Sequence, residues 1–348
     1  MIRIDVRHLS ALRAASGAVE LRELVQKAIE LEFSTVPPYL TAMMSLRLDR
    51  NKQIWNILHS VVLDEMLHVV IGCNLLIALG GRPRIDSAQF LPVYPGPLPM
   101  AIHQDLKVGL EPFSVDLVQR TFMEIETPEH PIEFQSTDAL RGHATIGEFY
   151  HALIRKLEGL GDAAFEGHTK QQFVDTRWFD SSRLFAIVDV ATAVRAIGLV
   201  VREGEGTHAS PIGEPGQLAH FYRFEQIVEG RQLVRDSQAE GGFSFSGPRI
   251  EFDPTGVWPI ESNQKLRDLD PDSQAGRRAR QFAYSFTKLL KALQETFSGN
   301  PQAFASAFAL MFELKLAGQM LVATPAVFAG RPTGRNAGPA FEYLEVND

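Results

Sequence analysis

The sequence predicts a mainly α-helical protein built on a four-helix bundle. Helical periodicity dominates roughly the first 230 residues, where four segments repeat apolar residues at intervals of three and four. Each of these segments also carries acidic residues in apolar surroundings. Pro-rich and Gly-rich stretches separate the segments and read as loops.

Composition limits the class of protein. The chain has 348 residues, of which 45% are hydrophobic and 22% charged, as in ordinary globular proteins. The net charge of −8 argues against a nucleic-acid partner. The single cysteine, Cys73, excludes a disulfide framework and leaves at most one thiolate for a metal. The first residues lack a signal-peptide core and no run of 18 apolar residues occurs, so we expect a cytoplasmic protein without a membrane partner.

The first two bundle helices are predicted at residues 20–48 and 51–79. Apolar residues such as Leu24, Ala28 and Leu31 begin the first, and Pro37-Pro38 should kink it because proline removes a helical hydrogen bond. The second ends at Gly80-Gly81, a plausible C-terminal cap. Residues 82–113 are Pro-rich and are expected to run over the surface as an extended insertion.

The other two bundle helices are less regular. Ser114 can cap a short helix that ends before "ETPEHP", and the third bundle helix should start at Thr145 with Glu148 in the capping-box position. A short strand at "QQFVD" then leads to the fourth helix, at about 183–203, and helix resumes in "QLAHFYRFEQIVEG".

The last third of the chain loses helical periodicity before regaining it. Residues 231–270 suggest two short strands or extended arms, and the tail "TGRNAGPAFEY" suggests irregular structure. Helices at about 273–297 and 301–322 should form an antiparallel pair. We therefore expect one elaborated domain: a bundle at 1–230 with an insertion at about 82–113, and an extension at 231–348 packed on it.

The stretch "VVLDEMLHVVIGCNLLIALGGRPRI" places Glu65 and His68 on a very apolar helix. Residues three apart share one helix face, and burying them is costly unless each has a partner or a metal. The simple alternative is that this face meets water, or that Glu65 and His68 pair with each other.

Acidic residues on the other helices favour a metal site. A carboxylate-bridged dinuclear site in a four-helix bundle takes one Glu from each of two helices and a Glu-x-x-His from each of the other two. Carboxylate and imidazole donors together suit iron or manganese. The candidates are Glu30, Glu32, Glu65, His68, Glu148, Glu203, Glu205, His208 and His220.

Several motifs resemble one known family. "IELEFSTVPPYLTAM" followed by "LDEMLHVVIGCNLLIALGGRPRI" is similar to the first helix pair of ferritin. The order "ELEFSTVPPYL", "DEMLH", "IGEFY", "GEG", "AHFYRFEQI" and "GPAFEY" resembles the ferritin-like family found in the N-terminal region of iminophenylpyruvate dimer synthase, of violacein-type bisindole biosynthesis. This resemblance spans nearly the whole chain and implies a ferritin-like four-helix bundle.

The resemblance also implies a ligand set. It assigns Glu32, Glu65, His68 and Glu148 to the first group of ligands, and Glu205 with His220 to the second, with His208 as the alternative histidine. Glu148 has a second interpretation as the capping partner of Thr145. Glu30 and Glu203 are interpreted as solvated neighbours of the ligands, and Glu225 as a surface residue and reserve ligand.

Three functions compete at this stage. The first is a dinuclear non-haem oxidase or oxygenase with two metal ions, iron before manganese, that uses O2 on a small organic substrate, amino-acid-derived in secondary metabolism. The second is a ferroxidase or iron-binding protein, and the third is a scaffold that acts with a partner enzyme. A homodimer is the simplest assembly. The substrate, the electron donor and the catalytic residues are not predicted by the sequence.

Overall fold

The computed structural model describes residues 6–101, 106–128, 146–166, 169–204, 210–213 and 216–345. Helices form most of this part of the chain, with two small two-stranded sheets, so the all-α prediction is confirmed. A short first helix, α1, covers Val6–Ala14 and packs on α2 and α6, whose bounds follow.

The two long helices α2 and α3 form the centre of the molecule. They cover Ala18–Ser45 and Lys52–Ala78, within a few residues of the predicted bounds. The helices approach closely where α3 has Gly72, because a Cβ there would lie 2.9 Å from Cγ1 of Ile29. A larger residue at this point would push the helices apart.

Helix α2 continues through Pro37 and Pro38 to Ser45. Pro38 has no N–H, so the Ser34 carbonyl loses its usual helical partner. The Tyr94 hydroxyl donates to that carbonyl at 2.5 Å. The Pro-rich insertion therefore supplies a hydrogen bond that the proline removed, and Tyr94 is buried in doing so.

Shorter helical segments complete the bundle. Ser114 caps α4, Val115–Leu117, by accepting from the Leu117 N–H at 2.9 Å, as the sequence predicts. A π-helical turn at Val118–Phe122 joins α4 to α5, Met123–Glu126. The remaining segments are α6 at Ile146–Leu160, α7 at Val190–Gly204 and α8 at His220–Glu229. Helix α6 packs on α7, α8 packs on α5, and both α7 and α8 contact α3.

Two predictions for the segment before α7 are wrong. Helix α7 begins at Val190 and not at 183, because the Asp189 carboxylate caps it by accepting from the Thr192 N–H at 2.8 Å. The strand expected at "QQFVD" is absent from the described residues, where Thr169–Gln171 form a 3₁₀ turn. The backbone N–H and C=O of Phe173 bond instead to the side chain of Asn74.

The C-terminal segment contains a helical pair and two hairpin-like sheets. Strand β1, Val234–Arg235, pairs antiparallel with β2, Phe243–Ser244. Helices α9, Gln274–Phe297, and α10, Phe304–Val322, run antiparallel, as predicted. The hairpin of β3, Pro325–Phe328, and β4, Arg331–Asn336, was not predicted. The Asp270 carboxylate accepts from both backbone N–H groups of its Ala329-Gly330 turn.

One apolar core extends from Leu9 to Phe341 and includes residues of α2, α3, α9 and α10. The division into a bundle at 1–230 and an extension at 231–348 stays a prediction. In the described part of the chain, two helices are long and apolar enough to cross a membrane by length and composition alone. In Lys52–Ala78 the apolar window is 83% buried, as in a core helix, whereas in Pro301–Val322 it is 28% buried.

Candidate metal centre

Two groups of carboxylates and histidines meet inside the bundle. One comprises Glu32, Glu65 and His68, and the other comprises Glu65, Glu126 and His220. In each group the potential ligand atoms lie within 4.8 Å of one another, as a bound ion requires. The helices α2, α3, α5 and α8 supply these side chains.

Glu65 belongs to both groups and turns one oxygen toward each. Its Oε2 lies 4.0 Å from Nδ1 of His68, and its Oε1 lies 2.9 Å from Nδ1 of His220. The Thr35 hydroxyl donates to Oε2 at 3.0 Å and holds the carboxylate in this orientation. Glu65 therefore faces both groups, with one carboxylate oxygen directed to each.

The histidines are oriented by a further layer of charged residues. Nε2 of His68 lies 3.1 Å from Glu203, and Nε2 of His220 lies 3.5 Å from Asp64. In both rings Nδ1 therefore faces the ligand groups while Nε2 faces a carboxylate outside them. Such outer carboxylates fix the ring orientation of metal-binding histidines.

Two arginines hold these outer carboxylates. Arg183 donates to Asp64 at 2.6 Å and to both oxygens of Glu203 at 2.9 and 2.7 Å. Arg223 donates to the other oxygen of Asp64 at 2.7 Å. Arg183 thus binds both Glu203, which faces His68, and Asp64, which faces His220.

In each group, a tyrosine hydroxyl donates a hydrogen bond to the glutamate that belongs to that group alone. The Tyr150 hydroxyl donates to Glu32, and the Tyr39 hydroxyl donates to Glu126 at 2.6 Å. The two groups are built alike: each has an unshared Glu bonded to a Tyr, the shared Glu65, and a His whose Nε2 faces a carboxylate outside the group.

Glu126 occupies the last position of α5, directly after the π-helical turn Val118–Phe122. Such turns insert one residue into a helix and occur frequently at functional sites. The ring of Phe122 packs edge-on against Tyr39 with centroids 4.6 Å apart. The π turn and this contact together fix the end of α5 against α2.

Burial and mutual charge shift the pKa values of the cluster. Burial, and then the charge of Glu126, raise the pKa of Glu65 to about 7 despite the neighbouring His220. Burial opposes the charged form of His68, but Glu203 and Glu32 outweigh it and raise the pKa of that ring to about 10. The pKa of His220 is also raised well above its usual value, because Asp64, Glu126 and Glu65 outweigh its burial. The surrounding carboxylates therefore favour the protonated form of both histidines.

The donor set fits metal ions better than it fits hydrogen bonding alone. His220 is fully buried, and neither of its ring nitrogens makes a hydrogen bond of ordinary geometry with the carboxylates around it. A nitrogen that faces oxygens without hydrogen bonds is what a metal ligand presents. Carboxylate oxygens and imidazole nitrogens are donors that iron and manganese accept.

A cavity of about 50 Å³ lies beside the cluster. Glu32, Glu65, His68 and Glu126 form its polar wall, and residues such as Ile125 and Val200 form its apolar wall. This is room for a few molecules the size of water or O2.

The sequence-predicted ligands are only partly brought together. Glu32, Glu65, His68 and His220 all lie in the cluster, whereas Glu205 and His208 lie outside the described residues. The assignment of Glu148 needs correction: its side chain is exposed, in the first turn of α6, where an acidic residue favours the helix N-terminus. Its neighbour Tyr150 points to the cluster instead.

Sequence reasoning missed Glu126 and misjudged Glu203. Glu126 sits in "FMEIE", beside the buried Phe122 and Ile125, and this apolar setting was the available signal. Glu203 was expected to be solvated, but it is 1% exposed and bonded to His68 and Arg183. Glu225 belongs to neither ligand group.

A helical bundle that encloses a buried set of glutamates and histidines is the arrangement in which bundle proteins of the ferritin-like type can hold metal ions. The profile of the Ferritin-like family matches residues 25–229, so the chain belongs to this family.

The fold is also similar to a crystal structure of a ferritin-like protein from Caulobacter vibrioides. The TM-score is 0.61 at 23% sequence identity, over 93% of this chain and 97% of that chain. This similarity shows a shared fold. No curated protein matches the sequence significantly.

Proposed function

We propose that this ferritin-like protein binds two metal ions, iron in preference to manganese, and uses them with O2 to oxidise a small organic substrate. The observation that carries the proposal is Glu65, whose two oxygens face two similar groups of ligands. In the first group Glu32, Glu65 and His68 would hold one ion. In the second group Glu65, Glu126 and His220 would hold the other.

Two bound iron ions would supply reducing electrons to O2. The chain's own residues prepare the site for this chemistry. Arg183 and Arg223 neutralise the outer carboxylates, so that His68 and His220 keep their Nδ1 atoms toward the ligand groups. Tyr39 and Tyr150 hold protons on hydroxyls hydrogen-bonded to Glu126 and Glu32, at the edge of the cluster. The apolar wall of the cavity limits access of water.

The resemblance to iminophenylpyruvate dimer synthase supports a substrate derived from an amino acid. In that enzyme the ferritin-like part is one region of a larger protein that couples oxidised amino-acid-derived imines. The proposal therefore covers metal-dependent oxidation and does not extend to the coupling reaction.

A ferroxidase is the second candidate, and the small cavity favours it. The larger apolar cavity of the molecule does not include the ligands, so the metal site has no adjoining pocket of substrate size there. A ferroxidase needs access only for Fe(II) and O2, which the 50 Å³ cavity provides.

Anaerobic titration with Fe(II), followed by O2, tests the proposal. We expect two Fe(II) bound per chain, and O2 consumption with new optical absorption when O2 is added. Glu65→Gln keeps the shape but removes the bridging charge, so it should lower both iron binding and O2 consumption by at least about tenfold. The matched control is Glu148→Gln, which should behave as the unmodified protein.

The outcomes separate the candidates. The dinuclear site would be overturned if Glu148→Gln and Glu65→Gln lowered iron binding and O2 consumption equally. It would also be overturned if the unmodified protein bound no iron. Iron accumulation far beyond two per chain in a large hollow assembly would favour storage over substrate oxidation.

A further inference from the structure

A second cavity, of about 170 Å³, lies between α2, α3, α9 and α10. Its lining includes seven phenylalanines and four methionines, so the wall is both aromatic and adaptable. A cavity of this size is comparable to one of ~150 Å³ that holds a benzene molecule. The space therefore suits one aromatic ring or a short branched chain.

This cavity is distinct from the metal centre. Helices α2 and α3 line both spaces, but with neighbouring residues that point to different sides. On α2, Glu32 faces the cluster and Phe33 faces the apolar cavity. On α3, Glu65 faces the cluster and Met66 faces the apolar cavity. The two long helices thus separate the two spaces.

The only polar groups in the described lining are basic. They are Lys315 on α10 and His59 on α3. The ammonium of Lys315 lies 4.7 Å from the centre of the Trp55 ring, and that ring stacks on His59 at 4.7 Å. Burial, and then the charge of Lys315, lower the pKa of His59, so Lys315 is the fixed positive charge of the pair.

Lys315 forms no ion pair with any carboxylate in the described part of the chain. The nearest acidic residue in sequence, Glu313, bonds instead to Ser285, and the lining contains no acidic residue. A half-buried ammonium at the edge of an apolar cavity attracts an anion that brings its own apolar part.

The cavity wall reaches the solvent. Leu63 and Phe312 both line it, and they are 48% and 55% exposed. A small molecule can therefore reach the cavity between α3 and α10.

We propose that this cavity binds a small aromatic or branched aliphatic carboxylate. The apolar part fills the space between the phenylalanines of α9 and α10, and the carboxylate pairs with Lys315 beside His59. The proposal does not depend on the metal centre, which lies on the other side of α2 and α3.

Isothermal titration calorimetry with 3-phenylpropanoate tests this proposal on the full chain. The uncharged 3-phenylpropan-1-ol and the cationic 3-phenylpropylamine are the matched ligands. We expect the carboxylate to bind most tightly and the amine most weakly. Lys315→Met keeps the length of the side chain. It should lower the affinity for the carboxylate by about tenfold and leave the affinity for the alcohol nearly unchanged.

Two further variants complete the test. Lys288→Met is the matched control, because Lys288 also lies over an aromatic ring, that of Tyr284, but is outside the cavity lining. It should leave the affinity unchanged. Met311→Trp should fill the cavity and abolish binding of both the carboxylate and the alcohol.

Equal affinity for the three ligands, or an unchanged affinity in Lys315→Met, would overturn the selection for a carboxylate. No binding of any of them to the unmodified protein would overturn the site itself. Binding that survives Met311→Trp would place the ligand elsewhere and would also contradict the proposal.

Discussion

Arg183 belongs to neither ligand group, but it binds the two carboxylates that face the histidines. It lies in the irregular segment before α7 and donates to Asp64 and to Glu203. Those carboxylates face Nε2 of His220 and of His68. A single guanidinium therefore influences the orientation of both rings, which a lysine could not reproduce with the same planar set of donors.

We predict that Arg183→Met lowers metal affinity by about 10- to 100-fold, the usual effect of losing an outer partner of a metal-binding histidine. The folded state should persist, because Asp64 keeps Arg223 and Glu203 keeps His68. Competition with a metal chelator measures the affinity, and circular dichroism checks the fold.

The control is Arg177→Met in the same segment. Arg177 pairs with Asp175 at an exposed position, so its loss should change metal affinity by less than about twofold. A folded Arg183→Met variant that binds metal as tightly as the Arg177→Met variant would refute this positioning role.

Amide side chains attach the irregular segments to the helices. Asn74 on α3 exchanges two hydrogen bonds with the backbone of Phe173, and Asn51 does the same with Asp253. Gln294 on α9 accepts from the Ile85 N–H and donates to the Pro83 carbonyl. Each amide has one donor group and one acceptor group. It can therefore bond to a backbone C=O and a backbone N–H, as the backbone of a neighbouring β-strand would.

We predict that Asn74→Ala lowers the free energy of unfolding by about 3 kcal/mol. The variant leaves a buried N–H and a buried carbonyl of Phe173 without partners, at about 1–3 kcal/mol each. Denaturant unfolding measures the change. Asn56→Ala is the matched control, since Asn56 is exposed on the same helix and alanine is the better helix former. Equal stability of the two variants would contradict the prediction.

The long elements were predictable from sequence, and the short ones were not. Apolar periodicity located α2, α3, α9 and α10 to within a few residues, because these helices bury one face along their whole length. The start of α7 and the absent strand at "QQFVD" depend on Asp189, Gln172 and Asn74. The bonds of Gln172 and Asn74 join residues far apart in the chain and leave no local pattern. The Asp189 cap, in contrast, lies three residues from its partner and was a local signal that the prediction overlooked.

At the scale of the whole molecule, the cluster joins residues from Glu32 to His220. The histidine and glutamate of α3 were predictable, because a polar pair at helical spacing on an apolar helix is a local signal. Glu126 was not predicted, since its role depends on the π turn and on where α5 ends against Tyr39. Glu148 was preferred instead because it matched a motif in the chain, although the fold exposes it.

Crystallography of metal-loaded protein, with anomalous scattering recorded at the iron or manganese edge, tests the central claim most directly. The account predicts two anomalous peaks inside the bundle, one on each side of Glu65. One should contact Glu32 and His68, and the other Glu126 and His220, with ligand distances of about 2.0–2.3 Å. No peak beside Glu65, or a metal held at Glu148, would contradict it.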